Sequence, residues 1–277
     1  MTAIVTYFFD ELRSFNESKW LRKLLAVFLI FKCVYWGLDY GLLFGENSAV
    51  YKNLVSLPFW QKPAFFLYWS GSIVLPRGFL IVAFLSALYI LVSKRHLRLV
   101  FFIVWFCIVN INNNVYITLS AGDYLFQHLL FFSIFLSDGK EKSTPLKSGI
   151  DISFHNAGMI ALRLQVCIVY FYAAYAKLLD QDWMNGTAVN GTFSAHEFSM
   201  PFLYQSNGLT GIVLGYLVIG YQLLFPLVVW MKKIKKWFLL IGVLQHLFIA
   251  FVIGLPSFGF IMIIAYAVFY APRTKKT

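Results

Sequence analysis

Long apolar runs separated by short polar or charged breaks make up most of the chain. A helix that crosses the hydrocarbon of a bilayer needs about 20 apolar residues, with roughly 17 as a lower limit. By that measure Leu24 to Phe44, Val100 to Leu119, Met159 to Leu178, Leu209 to Trp230 and Trp237 to Ile253 read as spans. Phe79 to Val92 is a shorter one that extends back through Pro76. Two further runs, Tyr124 to Leu136 and Phe258 to Tyr270, each follow a tight break, Ser120-Ala121-Gly122-Asp123 and Gly254-Leu255-Pro256-Ser257. Gly and Pro at such breaks mark turns, so these runs read as return helices of hairpins. The pattern predicts an all-α, polytopic transmembrane helical bundle of about eight spans. It reads as a single transmembrane domain over 1–277, with an N-terminal segment 1–23, an outer aromatic interfacial segment 45–78, a linker 137–154 and an outer loop 179–206. Within 45–78, Tyr51 to Trp69 is too interrupted by Pro58 and Pro63 for a plain span, and an interfacial or re-entrant segment is expected there.

The basic residues give the bundle a direction. With eight spans, 17 of the 23 Lys and Arg fall in loops on one side: Arg13 to Lys23, Lys94 to Arg98, Lys140 to Lys147, Lys232 to Lys236 and Arg273 to Lys276. Only Lys52, Lys62 and Arg77 fall opposite, and Lys32, Arg163 and Lys177 lie within spans or at their ends. Cytoplasmic loops carry the excess of Lys and Arg, so both termini are expected in the cytoplasm and 179–206 outside. Composition agrees: 60% of the 277 residues are apolar and 13% charged, against about half and a quarter in soluble domains. The net charge of +11 does not point to nucleic acid, because the cations form loop clusters rather than one stripe. Cys33, Cys107 and Cys167 all lie inside apolar runs, which argues against a disulfide framework. Asp10, Glu11 and Arg13 in the first residues argue against a cleavable signal peptide.

In such a chain the informative residues are polar ones inside spans, because a charge at the bilayer centre costs about 2.5–3.5 kcal/mol or more. Lys32 and Asp39 in the first span are too far apart along the helix to pair directly; either could pair across to another helix, and Asp39 could simply be wet. Asn110, Asn112, Asn113 and Asn114 close the third span, followed by Asp123, Gln127 and His128; interhelical hydrogen bonds are the ordinary use of such amides. In the fifth span Arg163, Tyr170 and Lys177 recur every seven residues and share a face, with Cys167 and Ala174 between them small enough for close helix approach. Gln222 and Pro226 interrupt the sixth span, and Gln245 and His246 lie well inside the seventh. The five histidines show no metal-ligand spacing, and no P-loop, dinucleotide fingerprint or nucleophile elbow occurs.

The run Tyr170-Phe-Tyr-Ala-Ala-Tyr-Ala-Lys177-Leu-Leu-Asp-Gln-Asp-Trp183-Met-Asn-Gly186, with the Asn-rich end of the third span, Gly122-Asp123, Gln222-Leu-Leu-Phe-Pro226 and His246 followed by Phe258, resembles the HTTM family. This horizontally transferred transmembrane domain is shared with the membrane part of vitamin K-dependent gamma-glutamyl carboxylase. The length and the Gln222 to Pro226 segment resemble the bacterial branch like sporulation-delaying protein B, which matures an exported peptide toxin. The resemblance implies a membrane enzyme, a carboxylase/epoxidase-like lyase or oxidoreductase, acting at the outer face on a quinol or an exported peptide, with a reduced quinone such as vitamin K as cofactor. By the same resemblance Lys177 is the base, and Arg163, Tyr170, Asn113, Asn114, Asp123, His128, Gln222 and His246 line the substrate cavity. A lysine can serve as a base only where loss of hydration makes its neutral amine accessible. Leu178 stands where the carboxylase has a second lysine, Gln222 where many relatives have an acid, and no counterpart of the carboxylase's lumenal substrate-binding domain is found. Substrate recognition is therefore expected to need a partner protein. A non-catalytic factor for export or maturation of a secreted peptide is the alternative. A small-solute transporter is less favoured, since no inverted repeat or paired broken helices occur.

Overall fold

The computed structural model describes residues 15–46, 48, 63–70, 72–138, 145–196, 199–204 and 208–270, and all regular structure among them is helical. Two compact units form, one from residues 1–162 with 270–277 and the other from 163–269.

The first unit begins with α1 (Phe15–Leu38), followed by α2 (Tyr40–Phe44), α3 (Phe66–Ser70), α4 (Leu75–Val92), α5 (Leu97–Asn114) and α6 (Ala121–Ser133). Pro76 sits in the first turn of α4, where a helix needs no backbone donor. A capping box starts α6: the Ser120 hydroxyl and backbone N–H both meet the Asp123 carboxylate, each at 2.8 Å. The helix α1 packs on α4 and α6, and α5 on α3, α4 and α6. Leu21, Leu25, Leu29, Phe101, Ile108 and Phe126 fill the interior, where Phe28 meets Phe126 edge to face at 4.9 Å.

The helix α7 (Pro145–Leu179) belongs to the first unit up to Leu162 and to the second from Arg163. The second unit continues with α8 (Gln181–Met184), α9 (Thr187–Phe193), α10 (Gly208–Val228), α11 (Lys235–Phe251) and α12 (Pro256–Ala265), which runs into a 3-10 turn, Tyr266–Phe269. The hairpin of α11 and α12 closes tightly because Gly259 leaves no room for a side chain: a Cβ there would lie 2.5 Å from the His246 carbonyl and 2.8 Å from Ala250. Gly186 adopts φ +82, a left-handed conformation that glycine enters freely, and turns α8 into α9 against Gly211 and Ile212 of α10.

Among the described residues four helices are long and apolar enough to cross a membrane: 75–92, 97–114, 149–179 and 208–228. The last has a mean hydropathy of 1.9, yet only 22% of it is buried. Leu209, Leu217 and Leu227 stand 70%, 63% and 67% exposed. An apolar surface of that kind needs lipid rather than water around it, and the protein is a membrane protein. The first expected span divides at Asp39 into α1 and α2, and the third ends at Asn114, with Tyr116–Thr118 forming a 3-10 turn. The expected linker is helical from Pro145 onward, and residues 139–144 lie outside the described residues. So do 51–62, the first part of the expected interfacial segment.

Candidate functional site

Buried polar groups collect in several clusters. In the first unit Lys32 reaches from α1 to Asp123 of α6 at 2.6 Å, with both side chains almost fully buried. The ammonium also lies 4.4 Å from the centre of the Trp36 ring, a cation–π contact strengthened by exclusion of water. Lys32 therefore does pair across to another helix, while Asp39 makes no ion pair among the described residues.

The asparagine run divides its work. Asn110 donates to the carbonyls of Pro63 (3.1 Å) and Phe106 (3.0 Å) and accepts from the Leu67 N–H at 3.3 Å. Asn113 donates to the Ala64 carbonyl at 2.8 Å. Together they fasten the non-helical entry to α3 onto α5, supplying bonds that lipid could not. Asn112 donates to Gln127 of α6 at 3.0 Å. Both amide atoms of the fully buried Asn114, and the Asn112 Oδ1, find no partner among the described residues. His128 points outward and is exposed.

Beyond the end of α6 a cation hook gathers the chain. The Arg22 guanidinium donates to the carbonyls of Ser133, Leu136 and Ser137 at 3.3, 2.7 and 3.0 Å and pairs with Asp138 at 3.1 Å. Arg98 adds bonds to the carbonyls of Phe135 and Leu136 and an ion pair to Asp151 at 2.6 Å. Asp151 and the buried His155, both on α7, hold Ser137 through its hydroxyl and its N–H respectively. The last carbonyls of a helix lack internal partners, and here two arginines supply them.

In the second unit Tyr170 is the hub. Its hydroxyl lies 2.6 Å from His246 Nε2 and 2.5 Å from the Tyr266 hydroxyl. Tyr266 in turn meets the Tyr221 hydroxyl at 3.2 Å, and Tyr221 donates to the Phe238 carbonyl at 3.2 Å. Phe225 stacks on Tyr170 at 3.8 Å between ring centres. Gly242, one helical turn before His246, is what admits the phenols, because a Cβ there would fall onto the Tyr221 and Tyr266 hydroxyls. Buried His246 Nδ1 and Gln222 Oε1 have no hydrogen-bond partner among the described residues. Arg163 donates to the Val268 carbonyl at 2.8 Å.

Lys177 closes α7, half buried. Its ammonium lies 4.5 Å from the centre of the Trp183 ring and donates to the Ala173 carbonyl at 3.3 Å. The neighbouring acids are engaged elsewhere: Asp180 accepts from the Asp182 N–H at 3.0 Å, and Asp182 from the Thr187 hydroxyl at 2.8 Å. Lys177 thus makes no ion pair among the described residues.

Of the residues read from sequence, Asn113, Asn114, Asp123 and His128 fall in the first unit, and Arg163, Tyr170, Lys177, Gln222 and His246 in the second. The structure brings Tyr170 and His246 into direct hydrogen-bond contact. The sequence pattern does not single out Tyr266, Gly242 or Arg22. Gly242 carries a signal in retrospect, since glycine inside a helix costs about 1 kcal/mol relative to alanine and needs a packing reason. A cavity of about 420 Å³ in the first unit is lined by Cys33, Tyr40, Arg77, Leu80 and Phe84 with four neighbours, none of them a residue read as functional. Among the described residues no group of three or more His, Cys, Asp or Glu could hold a metal.

Apolar helices with lipid-facing surfaces around buried, hydrogen-bonded polar clusters define an α-helical membrane protein. Residues 79–273 match the HTTM domain, and the chain belongs to that family. It is similar to sporulation-delaying protein SdpB of Bacillus subtilis (strain 168), 27% identical over 184 residues that cover 61% of this chain and 56% of the relative. It is also similar to the uncharacterized protein YitO of the same organism, 34% identical over 115 residues that cover 36% of this chain and 35% of the relative. The chain thus spans about half or less of the length of these curated relatives. No solved structure matches it.

Proposed function

We propose that this HTTM protein is a membrane enzyme related to vitamin K-dependent carboxylase, acting at the outer face of the cell membrane in the maturation of a secreted peptide toxin. Lys177 is its base, and a partner protein supplies recognition of the exported peptide. Eight spans with both termini in the cytoplasm belong to the same reading, supported by the lopsided distribution of Lys and Arg. The observation that carries it is the state of Lys177: an ammonium half out of water, with Asp180 and Asp182 turned away into the caps of the following turns. A lysine held by a carboxylate would be fixed as a cation, whereas this one needs only to lose a proton. A reduced quinone is the cofactor of this reading, and the second unit offers what one requires: aromatic walls at Phe225 and Phe258, and the unpaired acceptors His246 Nδ1 and Gln222 Oε1 for its hydroxyls. When bound it would supply the reducing equivalents.

The test compares Lys177→Ala and Lys177→Arg in cells that export the cognate peptide, with the mature product measured by mass spectrometry. A general base contributes about 10²–10⁴ in rate, so both variants are expected to lose product at least a hundredfold, arginine included because its guanidinium does not deprotonate. Full activity in both would end the base assignment. The second reading, a non-catalytic factor for peptide export or maturation, is favoured by the Trp183 contact, which gives the cation an anchoring use. Under it Lys177→Arg keeps activity and Lys177→Ala does not.

A further inference from the structure

The hydroxyl chain of the second unit has four hydrogen bonds: His246 to Tyr170, Tyr170 to Tyr266, Tyr266 to Tyr221, and Tyr221 to the Phe238 carbonyl. Each phenol owns one proton and the carbonyl owns none. With each proton serving one bond, three hydroxyls cannot fill four bonds, so the fourth proton belongs to His246 Nε2. The direction follows from the carbonyl end. Tyr221 must donate to Phe238, so Tyr266 donates to Tyr221, Tyr170 to Tyr266, and His246 Nε2–H to Tyr170. A neutral imidazole carries one N–H, so Nδ1 is left as a bare lone pair, on a side chain that is 3% exposed and has no partner for that atom.

A buried acceptor without a donor costs about 1–3 kcal/mol, and Gln222 Oε1 repeats the situation one residue after Tyr221. Both atoms call for a donor. A peptide N–H brings with it a carbonyl that needs a donor of its own, and the unpaired buried side-chain atoms among the described residues of this unit are both acceptors. A hydroxyl on an apolar frame brings no such requirement. The ring of Phe258, 6.0 Å from His246 at 67°, provides an aromatic wall beside the imidazole.

We propose that Tyr170, Tyr266 and Tyr221 are positioning residues that lock His246 as the Nε2–H tautomer, and that its Nδ1 accepts a hydrogen bond from the hydroxyl of an apolar, phenol-class ligand. The ligand half rests on the quinol reading given above; the tautomer half stands on the hydrogen-bond chain alone.

The experiment uses the full chain in lipid nanodiscs with 15N-labelled histidine, His246 being assigned by its disappearance in His246→Gln. The protein alone is expected to show a protonated Nε2 and a bare Nδ1. Tyr170→Phe, which removes the acceptor for Nε2–H, is expected to give a mixture of tautomers, while Phe193→Leu, a buried packing change elsewhere in the same unit, leaves the tautomer as it was. Titration with 4-chlorophenol is expected to shift Nδ1, and 4-chloroanisole, the same frame without the donor, leaves it unmoved. Tyr170→Phe weakens the phenol about five- to tenfold, the worth of roughly one hydrogen bond. A protonated Nδ1 in the free protein overturns the whole inference. The expected tautomer with no phenol response, or with an equal response to the anisole, overturns the ligand site and with it the quinol support, while the positioning role stands. Repeating the titration in Lys177→Ala keeps the result independent of the base assignment, since the tautomer and the phenol shift are expected unchanged there.

Discussion

Changing Asp123 to Asn removes a charge while keeping the shape of the side chain, and leaves the Lys32 ammonium in place with its counter-ion gone. The ion pair is 2.6 Å long and both side chains are about 95% buried. Breaking a buried pair from one side costs about 3–5 kcal/mol, because the remaining charge loses its counter-ion. The amide that replaces the carboxylate still presents an oxygen to the Ser120 N–H and hydroxyl, so loss of the cap contributes little and the cost falls on the charge. Lys32→Met keeps the stem and strands the carboxylate instead, with a similar loss softened by the two Ser120 bonds. The double variant, Lys32→Met with Asp123→Asn, leaves no charge stranded and is expected to recover about 2–3 kcal/mol relative to the sum of the singles. Cys33, Cys107 and Cys167 are buried and free, so a thiol-reactive fluorophore reports unfolding in detergent without further labelling. At about 2–4 °C per kcal/mol, Asp123→Asn is expected to lower the midpoint by roughly 6–20 °C. If the singles simply add in the double variant, the two groups are not acting as a buried pair and the reasoning fails.

Two further outcomes can be read with the same fluorophore. Gly242→Ala gains about 1 kcal/mol of helix propensity but pushes a methyl into the Tyr221 and Tyr266 hydroxyls, and a net loss of about 1–3 kcal/mol is expected; a stabilised protein would mean that the phenols do not meet there. Arg22→Ala takes the counter-ion from Asp138 and the arginine donor from the carbonyls of Ser133, Leu136 and Ser137, of which Leu136 keeps its bond from Arg98, for an expected loss of about 3–5 kcal/mol, and Arg22→Lys should restore less than half of it because a point charge cannot reproduce the planar fork.

Helix positions were largely legible because apolar length and turn residues are local properties. Pro76 and the Ser120-to-Asp123 break mark helix starts in the structure as they do in the sequence. The linker was less legible. Asp151 fell within the expected linker, yet it lies on α7 and pairs with Arg98, and just beyond the linker His155 and Asn156 are fully buried. Arg22 read as one loop cation among several, because nothing in its neighbours along the chain announces the carbonyls it holds at and just beyond the end of α6, more than a hundred residues away. Sequence could say that Lys32 wanted a partner, and only tertiary structure could choose Asp123 over Asp39. His128 and Asp123, five residues apart on one helix, go opposite ways: one is exposed, the other buried. The Tyr170 hub was half visible, since Tyr170 and His246 stood out as polar residues in apolar runs, while nothing in the pattern set Tyr266 apart within the last run.

The difference between satisfied and unsatisfied polar atoms separates structure from chemistry here. In lipid an unpaired polar group has no water to fall back on, and each costs several kcal/mol. The Lys32–Asp123 pair and the Arg22 hook draw much of their bonding capacity from within the first unit, which makes them fasteners. Arg22 Nε and Asn112 Oδ1 are left over within the first unit's clusters among the described residues, and the other exceptions differ in kind. Asn114 offers a donor and an acceptor together, both buried and both without a partner among the described residues, and a single water, itself donor and acceptor, answers both. His246 Nδ1 and Gln222 Oε1 offer acceptors only. A water placed against His246 would satisfy the lone pair and leave its own second proton and its lone pairs among aromatic rings, whereas a hydroxyl on an apolar frame carries one proton to deliver and presents carbon to the rest of the site. On the reading proposed above, the acceptors of the second unit suit a ligand less polar than water, whereas Asn114 calls for a group that is donor and acceptor at once.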